Sequence, residues 1–188
     1  RSRGLGDVYK RQLKSCYIRP LVYYGYGQMG VDPTGAPVDV IIAVWPWDAY
    51  LGAEALENGV KVGISSWRQR SFNAIPPAVK SSASYMNSIF AKLEAKSHGY
   101  AEAVMLNEQG YVCEGTGENL FTVRNGILST PPLSDGLLEG ITRDTVLTIA
   151  LDMDIPAIEE SLTRADLYIA DEMFMTGSAL SLIHISEP

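Results

Sequence analysis

Apolar residues alternate or cluster along the chain in runs of strand length, and one longer stretch repeats at helical spacing. VDVIIAVW, residues 38–45, is a continuous apolar run with a single charge at Asp39 and predicts a strand. Residues 15–26 carry Tyr17, Ile18, Leu21, Val22, Tyr23 and Tyr24, and predict a strand whose start is made irregular by Arg19-Pro20. A glycine- and proline-rich loop at 25–37 joins the two. VKVGISSW at 60–67 alternates as a strand does. After residue 80, Tyr85, Met86, Ile89, Phe90 and Leu93 fall on one helix face, and the helix is predicted to stop at His98-Gly99.

A β-meander follows. Strands are predicted at 103–106, 111–114, 119–123 and 127–129, with a Gly115-Thr116-Gly117 break and an Asn125-Gly126 hairpin turn. A helix is predicted from Gly140-Ile141-Thr142, with Thr142 as N-cap and Val146, Leu147, Ile149, Ala150 and Leu151 as its apolar positions. Strands at 155–158 and 172–175 flank a short capped turn at 163–167. The pattern is mixed, an α+β chain. A domain boundary is placed between Trp47 and Gly59, where the aromatic-rich linker PWDAYLG lies.

Composition narrows the partners. The 188 residues are 46% hydrophobic and 20% charged, ordinary for a globular protein with a packed core. A net charge of -7, without any cluster of Lys or Arg, argues against nucleic acid and anionic membranes as partners. The expected partner is a small molecule. Cys16 and Cys113 stand apart, outside any metal-binding spacing, and are expected to be reduced thiols of a cytoplasmic protein. No apolar run reaches transmembrane length. No metal site is expected.

Four features could carry chemistry. Lys80 follows Ile75-Pro76-Pro77-Ala78-Val79 and precedes the helix, so it sits at a loop-to-helix junction. Two readings stand for it: a surface lysine, or a partly desolvated amine made nucleophilic by its apolar neighbours. Glu114 ends a strand immediately before a glycine break, and reads either as a solvated strand end or as a carboxylate able to hold a proton on a ring nitrogen. Ile141 and Thr142 offer helix N-terminal amides and a hydroxyl, as any capped helix does. Thr176-Gly177-Ser178-Ala179 adds a glycine turn with two hydroxyls. Amine, carboxylate, helix N-terminus and hydroxyl turn together suit pyridoxal phosphate, which needs a Schiff-base lysine, a protonated ring nitrogen and a phosphate clamp.

Longer segments carry a resemblance. YIRP at 17–20, WPWDAYLG at 45–52, residues 75–85, EGTGENLF at 114–121 and LEGITRD at 138–144 resemble the branched-chain amino acid aminotransferases, class IV enzymes of fold type IV. The resemblance implies two domains with pyridoxal phosphate at their interface. It implies that Lys80 is the Schiff-base lysine and proton shuttle, Tyr85 bonds the cofactor's phenolic oxygen, and Glu114 pairs with the ring nitrogen. Ile141, Thr142 and Ser178 would hold the phosphate, Ser178 standing where threonine is common. Gly117, Ser178 and Ala179 would line the substrate carboxylate site. Arg19 with Tyr17 would receive the distal carboxylate of glutamate, while Trp47 and Tyr50 wall the apolar side-chain pocket. Met29-Gly30-Val31 would reach a neighbouring subunit's site, which implies a homodimer or larger assembly. The implied reaction is ping-pong transfer from L-leucine, L-isoleucine or L-valine to 2-oxoglutarate, giving glutamate.

Residues 1–12 and 180–188 read as adapter-like, non-native sequence, leaving 13–52 as the remnant of a small N-terminal domain with its linker and 53–179 as an incomplete large cofactor-binding domain. On that reading the family's phosphate-binding arginine, from an earlier segment, is missing. Within the fold type the alternatives are a D-amino acid aminotransferase and an aminodeoxychorismate lyase. The former typically carries Arg-x-His where this chain has Arg19-Pro20-Leu21. A non-catalytic small-molecule binding domain with a structural Lys80 is the alternative from another class.

Overall fold

A computed structural model describes residue 13, residues 16–47 and 58–179, and the backbone of 181–187. The chain divides into two units, residues 1–50 and 51–188. Tyr50 and most of the predicted linker lie outside the described residues.

In the first unit, β1 (Tyr17–Tyr24) pairs antiparallel with β2 (Val38–Trp45) in unbroken register from Tyr17↔Trp45 to Tyr24↔Val38. Pro20 is tolerated because each strand of a two-stranded sheet is an edge, so a missing N–H can face away from the ladder. The connecting loop is pinned at its base by Gly25 N–H donating to Pro37 O at 2.7 Å. Its tip is open, with Met29 and Val31 fully exposed.

The second unit is built on an eight-stranded sheet. Its strands in chain order are β3 (Val60–Arg68), β4 (Glu102–Leu106), β5 (Val112–Gly115), β6 (Asn119–Arg124), β7 (Ile127–Thr130), β8 (Ala157–Glu159), β9 (Glu172–Gly177) and β10 (Ser181–Glu187). They lie side by side as β5-β4-β3-β10-β9-β6-β7-β8. The backbone of β10 pairs parallel with β3 and antiparallel with β9. Edge strand β5 is tied back to β6 where Gly115 N–H donates to Glu118 O at 2.7 Å. Among the described residues three α-helices dress the sheet: α1 (Tyr85–Ser97), α2 (Ile141–Asp152) and α3 (Arg164–Tyr168). The architecture is the mixed α/β arrangement expected.

Turn chemistry explains the meander. Asn125 and Gly126 take φ of 52° and 75° between the paired residues Arg124 and Ile127, the two left-handed residues a tight hairpin demands. Thr163 and Asp166 form a reciprocal capping box that starts α3.

Two findings differ from the sequence reading. The apolar face of α1 is not its core face: Met86, Ile89, Phe90 and Leu93 are exposed, while Ala91 and Ala95 pack on Ala103 and Met105 of β4. Small side chains bring that helix close to the sheet, and periodicity weighted by hydrophobicity overlooks them. Helix α2 begins at Ile141 with Gly140 as its N-cap, so Thr142 lies inside the first turn and is not the cap. The second core cluster sits beneath α2, where Phe121 stacks on Phe174 at 5.0 Å and Leu128 and Ala150 close over them.

Candidate active site

Glu114 stands in β5, and its carboxyl is enclosed although part of the residue remains accessible. Gln69 Nε2, just beyond β3, donates to Glu114 Oε1 at 2.5 Å, and Leu138 N–H donates to Oε2 at 3.0 Å. Burial pushes the Glu114 carboxyl up to about 7, against the pull of the Leu138 amide, Arg70, Gln69 and Lys80. Between the ordinary carboxylate range and that value, the folded chain keeps a proton the unfolded chain has lost. Stability therefore falls as pH rises from about 5 to about 7, by up to about 1.4 kcal/mol per pH unit. Thermal unfolding midpoints across that window check this, and Glu114→Gln flattens the fall.

Lys80 acts electrostatically on this carboxyl from the loop before α1, and its Nζ lies 5.8 Å from the centroid of the Tyr85 ring. Lys80 is exposed, as is Val79 beside it. The desolvation that the apolar neighbours suggested is absent within this unit, because those neighbours project into solvent rather than over the amine.

The remaining residues converge through glycines. A Cβ on Gly140 would meet Asn119 Oδ1 at 2.0 Å, so Asn119 of β6 occupies the space beside the α2 N-cap. Asn119 Nδ2 in turn donates to Leu138 O at 2.8 Å. No side-chain cap engages the first amides of α2, and Ile141 is exposed there. A Cβ on Gly177 would lie 3.4 Å from Gly117 O, which brings the end of β9, with Ser178 and Ala179 after it, beside the β5–β6 turn. Lys80, Tyr85, Glu114, Gly117, Ile141, Thr142, Ser178 and Ala179 thus all belong to the second unit.

The first unit holds its own cluster. Tyr17 meets Trp45 at 5.0 Å and Trp47 at 4.6 Å between ring centroids, and the Arg19 guanidinium lies 5.2 Å from the Tyr17 ring centroid. Tyr17, Arg19 and Trp47 come together, and Trp45 joins them. Val31 sits in the exposed loop.

The model of the family described as "Amino-transferase class IV" matches residues 6–187. The chain belongs to this class IV aminotransferase family. It is 47% identical over 176 residues to the branched-chain-amino-acid aminotransferase of Escherichia coli strain K12, covering 93% of this chain and 57% of that one. It therefore spans a little over half the length of that curated relative. Among solved structures, the branched-chain aminotransferase of Thermoproteus uzoniensis with norvaline superposes with a TM-score of 0.92 at 44% identity, over 97% of this chain and 61% of that one. The branched-chain amino acid aminotransferase of Thermobaculum terrenum in its PLP-form gives 0.87 at 33% identity, over 96% and 58%. These neighbours have the type IV fold of this class, and the chain shares it.

The class IV site contains residues that motif reading passed over. Gln69 and Arg70 lie at the end of β3, 45 and 44 positions before Glu114, and no local pattern marks them. Arg70 donates to Ser84 O at 2.9 Å, while its Nε is buried without a partner. An enclosed carboxyl held by neutral donors, an amine nearby and a helix N-terminus with no side-chain cap fit pyridoxal phosphate, which presents a basic ring nitrogen, a carbonyl and a phosphate.

Proposed function

We propose that the protein transfers the amino group of L-leucine, L-isoleucine or L-valine to 2-oxoglutarate with pyridoxal phosphate as cofactor. The observation that supports this most is the enclosed Glu114 carboxyl, joined through Leu138 and Asn119 to an α2 N-terminus without a side-chain cap and within electrostatic reach of Lys80, in a chain that shares 47% identity with an Escherichia coli branched-chain enzyme. Pyridoxal phosphate, when bound, supplies an electron sink for the charge left at the substrate's α-carbon. Lys80 Nζ is the covalent anchor and, once released by the incoming amine, takes the α-proton and returns it. Exposure suits that task, since the amine must swing free.

Glu114, held in place by Gln69 and the Leu138 amide, keeps a proton on the ring nitrogen. Tyr85 orients the ring. The amides of Ile141 and Thr142, the Thr142 hydroxyl and Ser178 bind the phosphate. Gly117, Ser178 and Ala179 face the substrate's α-carboxylate. Arg19 and Tyr17 receive the distal carboxylate of glutamate, Trp47 and Tyr50 wall the branched side-chain pocket, and Val31 meets substrate from the loop that reaches a neighbouring subunit's site. The exposed Met29–Val31 loop suits insertion into a second copy, hence a homodimer or larger assembly. Cys16 and Cys113 are free thiols, in keeping with a cytoplasmic setting. Among the described residues no helix is long and apolar enough to cross a membrane.

The test is the half-reaction. Loaded with pyridoxal phosphate, the protein is expected to convert L-leucine, L-isoleucine and L-valine to their 2-oxo acids and to leave D-alanine untouched. Turnover of D-alanine, or release of pyruvate from aminodeoxychorismate without an oxo-acid acceptor, overturns the assignment in favour of the other class IV activities.

A further inference from the structure

Beneath the Gly115-Thr116-Gly117 turn lies a buried polar cluster that none of the roles above uses. Glu102 of β4 is fully buried, and Lys92 of α1 donates to its Oε2 at 2.5 Å. Thr116 donates its hydroxyl to Glu102 Oε1 at 2.7 Å, so the turn is fastened to the sheet at its middle residue. Glu118, also buried, folds back under the turn, where its Oε2 accepts the Gly117 N–H at 2.9 Å. The same oxygen fills the place of a side chain on Gly115, since a Cβ there would come within 2.6 Å of it. A side chain at Gly115 would displace this carboxyl from the Gly117 amide, and the turn is engaged at all three residues by Glu118 and Glu102.

Burial and neighbouring charge together decide the state of Glu118. The charged groups that face it are Glu102 on β4, Lys92 on α1 and Glu114 on β5. The one ammonium among them is in contact with Glu102, and its pull on Glu118 is weaker than the cost of burial and of the Glu102 charge, so a proton on Glu118 removes that cost. We propose that Glu118 is a positioning residue that fixes the 115–117 turn through the Gly117 amide and, as a neutral carboxyl, keeps negative charge from beneath the substrate's carboxylate. Burial, followed by the neighbouring Glu102 charge, pushes this carboxyl up to about 8, in accord with that state. The inference rests on the proposed transaminase reading only for the identity of the anion above the turn.

The test has a cofactor-free arm and a kinetic arm. In the 188-residue chain carrying carboxyl-labelled glutamate, one carbon resonance is expected to titrate above about pH 7 and to vanish in Glu118→Gln. Gly117 amide exchange is expected to stay slow in Glu118→Gln and to become fast in Glu118→Asp, whose shorter arm cannot reach the amide. Titration of Glu118 in the ordinary carboxylate range, or slow exchange in the aspartate variant, overturns the proposal whatever the enzyme's substrate. In the kinetic arm KM for L-leucine rises about tenfold in Glu118→Asp, with a smaller change in kcat, and Glu118→Gln recovers it, as loss of one hydrogen bond requires. Wild-type KM rises above about pH 8 and the glutamine variant's does not. A wild type that turns over leucine while both variants match its KM and pH profile overturns the positioning role. A wild type that fails to turn over leucine sinks the transaminase reading instead, and the role of Glu118 is then decided by the cofactor-free arm alone.

Discussion

Lys80→Ala is expected to abolish transamination, with a loss of about 10⁴-fold or more, while leaving the fold intact. The side chain is exposed, with its Nζ 5.8 Å from the centroid of the Tyr85 ring, so its removal costs stability no more than about 0.5 kcal/mol. A change that is nearly silent in unfolding and nearly total in turnover separates chemistry from architecture. The measurement is an absorbance spectrum with added pyridoxal phosphate, followed by borohydride reduction and peptide mapping. The wild type is expected to show a visible band that L-leucine bleaches and borohydride fixes on Lys80; the variant shows neither. A variant that kept the wild-type spectrum and ligand affinity would establish a binding domain in which this lysine is structural.

Glu114→Gln is expected to lower kcat about 10²- to 10³-fold, because a carboxamide is near the right shape but cannot keep a ring nitrogen protonated. The loss falls on kcat more than on KM, since the missing interaction grows as charge develops in the transition state. Its companion signature is thermodynamic, the flattened dependence of unfolding on pH between about 5 and about 7. Steady-state kinetics and unfolding on one preparation read both. Unchanged kcat with a flattened unfolding profile would show the carboxyl to be buried for structure alone.

Local chemistry made most of the strands and turns of both units legible. Asn125-Gly126 announced a hairpin because two left-handed residues are needed there, and the β2 boundaries followed from an unbroken apolar run. Where physics acts across the chain, the sequence was mute. The packing face of α1 is chosen by Ala91 and Ala95, whose small size matters only against Ala103 and Met105. The cap of α2 is Gly140 because Asn119, 21 positions earlier, needs the space a side chain would take. Lys80, Glu114 and Ser178 could each be nominated by type and setting, and the motif resemblance gathered them. Gln69, Arg70, Glu102 and Glu118 could not, since what distinguishes them is burial beside charges on other strands.

Leu138 acts as a ruler. Its N–H is taken by Glu114 and its C=O by Asn119, which in turn rests against Gly140 at the head of α2. The separation between the carboxyl at one end and the helix amides at the other is therefore gauged by one residue's covalent frame, which barely stretches. A molecule bridging those two points is measured along its length before any side chain tests its shape. Analogues one bond longer or shorter between ring nitrogen and phosphate would be rejected by rigidity rather than by crowding.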